Sequence, residues 1–330
     1  MLVHRTLPQL MAPQRLVPGH RRDVDALLAW GRRPSARRVE RLAQRWQLPV
    51  WHLEDGLLRS LSKGQGHPPL ALLVDDLGVH FDATQASRLE QRIAEPIGSE
   101  QARRARLLQG LWCDLRLSKL NPAKESPAPE QPFVLVVDQS AGDCSIALGL
   151  AGPQSFRQML FEALKDHPDC IVVVKVHPDV IHGRARGHFH RQDLQHPRIH
   201  LCADGLHPAA LLEQARAVYV VTSQMGFEAL LWSKTVHCFG MPFYAGWGLT
   251  RDLGPVPARR LSGRRPSLEA LVHATLIAYP RYRDPVTGLP CPPEVIVDRL
   301  AAGDLPERGP GLRMLAKLQG IFAGFAYLWR

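Results

Sequence analysis

The sequence predicts an α/β protein in two halves, each a sheet of parallel strands covered by helices. Three observations predict it. Short runs that are apolar throughout, such as Phe133–Val137 (FVLVV) and Ile171–Val176 (IVVVKV), read as strands buried on both faces. These runs alternate with stretches of helical period, the pattern of βαβ units. The 330 residues also suffice for two cores at roughly 150 residues per domain.

Taken in order, the residues up to about Met11–Gly19 carry prolines and arginines and are expected to be irregular. Asp25–Trp30 is a strand candidate, and Ser35–Trp46 a helix that Ser35 would cap. Pro49–Leu53 and Leu70–Val74 follow as strands, then Ser87–Ala94 and Glu100–Leu115 as helices. Asn121–Pro132 (NPAKESPAPEQP) is polar, Pro-rich and aperiodic, so it reads as a linker. The expected division is therefore 1–120, the linker 121–132, and 133–330. In the second part, strands at Phe133–Val137, Ile171–Val176, Ile199–Cys202, Ala217–Val221 and Thr235–Phe239 alternate with helices at Ser155–Lys165, Leu206–Ala215 and Gly226–Trp232. Two Rossmann-like domains with a cleft between them follow from this pattern.

Composition narrows the classes. A hydrophobic fraction of 45% with 22% charged residues excludes a disordered chain, and 26 Gly and 28 Pro without a period exclude a collagen-like one. Lys and Arg number 41 against 31 Asp and Glu, a net charge of +10 that favours anionic partners. No zinc-finger, RRM or KH signature is present, so nucleic acid is not the expected partner. The basic clusters Arg15–Arg22 and Arg32–Arg41 read as solvated faces or as holders of a polyanion. Six scattered cysteines (Cys113, Cys144, Cys170, Cys202, Cys238, Cys291) read as reduced thiols. The first residues lack the apolar core of a signal peptide, and no run approaches the ~20 apolar residues of a spanning helix. A cytoplasmic protein, or one peripheral on the cytoplasmic face of a membrane, is expected. Leu312–Arg330 (LRMLAKLQGIFAGFAYLWR) would form a helix that packs on the core, connects to a further module, or lies on an anionic membrane surface.

In open α/β sheets ligands bind beyond the carboxyl ends of the strands. Five segments occupy such positions: Glu54–Ser60 (EDGLLRS), Asp138–Ser145 (DQSAGDCS), Lys175–Asp179 (KVHPD), Thr222–Glu228 (TSQMGFE) and Gly240–Gly248 (GMPFYAGWG). Each has a plain structural alternative. Asp55-Gly56 suits a turn, Asp143 a helix cap, His177-Pro178 a rigid strand exit, and Thr222 or Ser223 a cap. Their convergence on one rim is what favours a ligand site.

These segments, with VDDLGVHFDATQASRLE and especially FGMPFYAGWGLTRD, resemble the capsule polysaccharide β-Kdo transferases of the KpsC type, over about Val24 to Leu300. The resemblance implies a variant of the two-Rossmann GT-B fold, with the active site in the cleft between the domains. It implies a retaining glycosyltransferase that moves Kdo from CMP-β-Kdo to a lipid-linked oligo-Kdo acceptor. Family members usually carry two such modules, and this sequence contains one. A non-catalytic scaffold that binds oligo-Kdo or another polyanion is the competing expectation.

Retention by double displacement needs a carboxylate nucleophile and an acid/base group. The resemblance implies Asp143 as nucleophile, with Asp138 as second choice. Glu54 is the expected base for the acceptor hydroxyl, with Asp55 as alternative, and Arg59 pairs a sugar carboxylate. His177 and Pro178 resemble the HP motif of CMP-sugar transferases, where the histidine holds the departing phosphate. Lys175 would add positive charge there. Gln139 and Ser145 flank the nucleophile in the substrate-binding set, and Ser223, Gln224 and Gly226 offer donors to the same phosphate. Glu228 would take the ribose, while Tyr244, Ala245, Gly246 and Trp247 would shape the sugar pocket. No metal and no cofactor beyond the donor is expected, because Asp75-Asp76 does not fit a DxD pattern. Other capsule assembly proteins are expected partners.

Overall fold

The structure is a computed structural model that describes residues 6–19, 21–58, 69–119, 121, 125, 127–176, 180, 186–202 and 207–303. The expected C-terminal helix at Leu312–Arg330 lies outside these residues.

The chain opens with helix α1 (Thr6–Met11), where an irregular segment was expected. Leu7, Leu10 and Met11 share one face of this helix and are buried with Leu53 and Leu72, so packing orders a stretch whose pattern is too short to read. Strand β1 (Leu27–Trp30) leads through α2 (Pro34–Trp46) to β2 (Val50–Asp55), which lies parallel to it. Ser35 does not cap α2. Arg33 holds the cap position without a side-chain bond, and Pro34, whose ring presets a helical φ, stands at the first helical position.

The rest of the first sheet departs from the parallel expectation. Strand β3 (Ala71–Asp75) runs antiparallel to β2, and two strands from far along the chain, β10 (Pro280–Arg283) and β11 (Pro290–Cys291), complete the order β1-β2-β3-β10-β11 with antiparallel pairs. Apolar runs mark strands but not their direction. Direction was inferred from intervening helices, and the pattern offered none between β2 and β3.

After α3 (Arg88–Ala94), capped by Ser87, and α4 (Ser99–Asp114), the second sheet begins. Its strands are β4 (Phe133–Val137), β5 (Ile171–Lys175), β6 (Ile199–Cys202), β7 (Ala217–Val220), β8 (Thr235–Cys238) and β9 (Arg251–Asp252), in the order β6-β5-β4-β7-β8-β9. Every pair is parallel. This is the dinucleotide-fold order, and it reverses between β4 and β7. Helices α5 (Cys144–Leu148), α6 (Pro153–Asp166), α7 (Ala209–Gln214) and α8 (Met225–Leu231) fall among these strands.

Side chains alternate across the sheet, as the strand period requires. Val134, Val136, Val172 and Val174 pack with Phe156, Met159 and Leu160 of α6. Leu135, Val137, Val173 and Val218 face the other way and join a core shared with Leu73, Leu89 and Trp112. Helices α9 (Ala258–Leu261) and α10 (Leu268–Val272) and the π-helical stretch His273–Ala278 then carry the chain back to β10, and α11 (Pro293–Ala301) follows β11. Among the described residues, no helix is long and apolar enough to cross a membrane.

Candidate active site

The strand order reverses between β4 and β7, and in open α/β sheets ligands bind beyond the carboxyl ends of strands at such a point. Gln139, just past β4, spans it: its Nε2 donates to Thr222 Oγ1 at 3.0 Å, and its Oε1 accepts from Thr222 N at 3.0 Å. Ser145 Oγ lies 3.2 Å from the same hydroxyl. Gln139 and Ser145 thus tie the two strand exits together beside the expected nucleophile.

The two candidate nucleophiles differ in access. Asp138 is 4% exposed, accepts from Gln139 N and His188 N, and lies so close to Gly187 that a Cβ there would come within 2.3 Å of Oδ2. Asp143 is exposed and caps α5, with Oδ1 accepting from Ser145 N at 2.9 Å. Capping holds one oxygen and orients the carboxylate, so the cap and nucleophile readings are compatible. Access favours Asp143.

Glu54 stands near the end of β2 in the other sheet. The Cys144 thiol at the start of α5 is pushed up first by desolvation and then by the negative charges of Asp143 and Glu54. Burial, followed by the charge of Asp55, pushes the Glu54 carboxyl up to about 7. A carboxyl there exchanges protons near neutral pH, as an acid/base group must. Its Oε2 accepts from Asp55 N at 3.2 Å. Gly31, at φ +49, makes room for it, since a Cβ there would stand 2.2 Å from Oε1.

A turn between α4 and β4 closes the neighbourhood. Ser118 N donates to Asn121 Oδ1 at 2.9 Å, and Asn121 Nδ2 returns a bond to Ser118 O at 2.8 Å. Ser118 Oγ and Lys119 N donate to the two oxygens of Glu228 at 2.6 and 3.3 Å. Glu228 is 3% exposed, and burial pushes its carboxyl up to about 7 against these bonds. Its two oxygens are thus engaged by the turn. The Lys119 charge acts on Glu54, on Glu228 and on His80, whose pKa is pushed down to about 3 by burial first and by Lys119 second. His80 stands edge-on to Phe81 and Phe243, and its buried Nδ1 has no hydrogen-bond partner among the described residues.

The glycine-rich loop is a support, not an open pocket wall. Tyr244 and Ala245 are 0% exposed and Trp247 is 4% exposed. Tyr244 Oη donates to Ser223 O and lies over Gly226, where a Cβ would meet it at 2.2 Å. Trp247 Nε1 donates to Phe243 O at 2.8 Å, and Gly246 N donates to Asp252 Oδ2 at 2.9 Å. Arg260 is buried and donates to Pro242 O at 2.7 Å, Ala245 O at 2.9 Å and Glu90 of α3 at 2.7 Å. These side chains are thus buried and bonded to the protein around them.

Two expected phosphate donors are also engaged. Gln224 Nε2 donates to Leu57 O at 3.1 Å, and Ser223 Oγ accepts from Met225 N at 3.2 Å. Lys175 is buried at the end of β5, with Nζ 3.8 Å from Cys202 Sγ. Arg59, His177 and Pro178 lie outside the described residues. Among the described residues, no group of three or more His, Cys, Asp or Glu is placed to hold a metal ion.

Sequence reasoning passed over Gly31, His80, Lys119 and Arg260, and read Arg33 only as part of the basic cluster Arg32–Arg41. Gly31 and Arg33 follow β1, so the strand-exit rule applied from the first strand would have found them. His80 lies in the VDDLGVHFDATQASRLE segment already singled out. Lys119 follows helix α4 and Arg260 lies within α9, where that rule does not look.

Comparison with known proteins identifies the family. The family described as capsule polysaccharide biosynthesis protein matches residues 25–111 and 99–282. The capsule polysaccharide modification protein LipA of Neisseria meningitidis serogroup B is 38% identical over 299 residues, covering 86% of this chain and 42% of LipA. The lipopolysaccharide-processing protein LpsZ of Rhizobium meliloti is 37% identical over 271 residues, covering 78% of this chain and 59% of LpsZ. The chain thus spans about half the length of these curated relatives. Among solved structures, the β-Kdo 2,4 transferase of Thermosulfurimonas dismutans KpsC is similar with a TM-score of 0.79 and 41% identity, covering 84% of this chain and 87% of that one. Its β-Kdo 2,7 transferase is similar with a TM-score of 0.67 and 31% identity, covering 84% and 85%. By this match over most of its length, the chain belongs to the capsule polysaccharide biosynthesis protein family.

Proposed function

We propose that this chain is a retaining β-Kdo glycosyltransferase module that moves Kdo from CMP-β-Kdo to a Kdo-bearing, lipid-linked acceptor. The observation that carries the reading is the strand-order reversal between β4 and β7, where Gln139 and Ser145 meet Thr222 beside the exposed Asp143. The likeness to two KpsC β-Kdo transferase structures supports the same reaction class. In this reading the chain has a GT-B-like arrangement, with 1–120 on the acceptor side, 121–132 as linker and 133–330 on the donor side.

Asp143 attacks the anomeric carbon, and the bond to the CMP phosphate breaks with its electron pair on phosphate. A glycosyl ester on Asp143 results. Glu54 then takes the proton of the acceptor hydroxyl, whose oxygen displaces Asp143 and restores the original anomeric configuration. His177 assists departure of CMP, and basic groups supply the charge stabilisation, with no metal or separate cofactor in the scheme. The module works at the cytoplasmic face of a membrane, where its lipid-linked acceptor lies.

The test is incubation with CMP-Kdo and a Kdo-terminated acceptor, following CMP release, the product anomer by NMR, and the mass of the peptide that contains Asp143. CMP release, a β-linked product and a Kdo adduct on that peptide are expected. Intact acceptor binding without CMP release would instead make the module a scaffold.

A further inference from the structure

We infer that Phe81 is the aromatic platform on which the acceptor sugar stacks beside Glu54. The inference rests on the Kdo-transferase reading and adds an acceptor-binding residue to it.

The backbone that carries Phe81 is fixed from three directions. Asp82 N donates to Val79 O at 2.9 Å and closes the turn around His80 and Phe81. The Asp82 carboxylate accepts from Arg32, just past β1, at 3.0 Å and from Gln85 at 3.1 Å. Ala83 N donates to Leu148 O at the end of α5 at 2.8 Å, and Ala83 O accepts from Arg259 at 2.7 Å. The segment is thus held by the first sheet, by the helix that Asp143 caps and by α9.

The side chains of this segment divide. Val79 and Ala83 are buried, at 2% and 1% exposure. Phe81 is half-buried and, among the described residues, packs into none of the three apolar clusters. Its ring is placed all the same. His80 meets it edge-on, with centroids 5.2 Å apart and planes at 81°, and meets Phe243 at 5.9 Å and 65°. The ring tip, Cζ, lies 3.7 Å from the point that a Cβ on Gly31 would occupy, and Glu54 Oε1 lies closer still to that point. Phe81 therefore stands next to the carboxyl that takes the proton of the acceptor hydroxyl in this reading.

A phenyl ring outside the core suits a pyranose, which carries its hydroxyls on its rim and presents C–H groups on its faces. The ring is already held by its neighbours, so stacking on it costs little conformational freedom. Its π face is negative, so the carboxylate of an acidic sugar lies off the ring and not over it. The sugar is thereby oriented with a hydroxyl toward Glu54, which is the alignment that the second displacement needs.

The measurement compares wild type and F81L, with CMP-Kdo as donor and a Kdo oligosaccharide as acceptor. Loss of one stacking contact should raise the acceptor KM about fivefold to tenfold and leave the donor KM unchanged. F81L that folds, by its melting temperature, and keeps the acceptor KM overturns the proposal, as does a loss confined to the donor KM. F81M, whose flexible side chain fills similar space without a π face, gives the same comparison if F81L folds poorly. Binding of the oligosaccharide by saturation-transfer NMR needs no turnover. A wild type that binds without CMP release overturns the transferase reading alone. Weaker binding by F81L then upholds the stacking role, and equal binding removes it. A wild type that neither binds nor turns over overturns both.

Discussion

The Glu54–Asp143 neighbourhood and the Pro242–Trp247 loop make an instructive pair. The loop lies in FGMPFYAGWGLTRD, the run on which the sequence resemblance leaned most, yet its side chains are buried and bonded to protein. Glu54 and Asp143 sit in less distinctive segments, yet one is exposed and the other carries a proton near neutral pH. A distinctive sequence thus marks a demanding packing problem as readily as a point of substrate contact. In the loop, the problem is to hold the carbonyls of Pro242 and Ala245 around one buried guanidinium while Tyr244 reaches Ser223.

The sharpest way to test this contrast is D143A. Loss of transfer by on the order of 10³-fold or more, with CMP binding intact by calorimetry, is expected of a nucleophile. Normal turnover would break the comparison from its catalytic side. Next is E54Q, with an expected loss of about 10²–10⁴-fold. A base must be deprotonated, so wild-type kcat/KM for the acceptor should rise with pH and level off above about 7, where the Glu54 carboxyl ionises. E54Q should lack that limb, and an unchanged profile would remove Glu54 from the role.

From the packing side, R260M should leave buried Glu90 with Arg259 as its remaining guanidinium partner and the carbonyls of Pro242 and Ala245 without this donor, lowering the unfolding free energy by about 2–3 kcal/mol, read by urea denaturation. A smaller effect is expected of Y244F, which deletes only the bond to Ser223 O: about 1 kcal/mol of stability, and a rise of roughly fivefold in the donor KM with the acceptor KM unchanged. If Y244F abolished turnover with stability intact, the loop would be catalytic machinery after all.

Much of the architecture was legible because it rests on local pattern. Runs such as FVLVV and IVVVK are buried on both faces, and the five strands expected after the linker form the parallel second sheet. The first sheet was less legible, since β3 takes its direction from strands near residue 280 that no local period announces. The site divides the same way. Glu54 and Asp143 lie at strand ends, where a rule of architecture points. Glu228, Gln224 and Tyr244 were read as ligand donors because their types suit that use, but each has a partner from a distant part of the chain. Lys119 was missed for the opposite reason, because its place is set by Glu228, which lies beyond any sequence window.

The pairing of Leu73 with Pro280 bears on how the molecule is made. During synthesis, β3 emerges early and has β2 on one side only, while every strand of the second sheet is completed before β10 leaves the ribosome. The first sheet is therefore the last to close, with its far edge unpaired through the interval in which nascent chains are most exposed to wrong partners. A fragment ending in the linker would never acquire β10 and should associate through that edge. A circular permutant that begins near residue 255, and so delivers β10 first, should reach its native state faster.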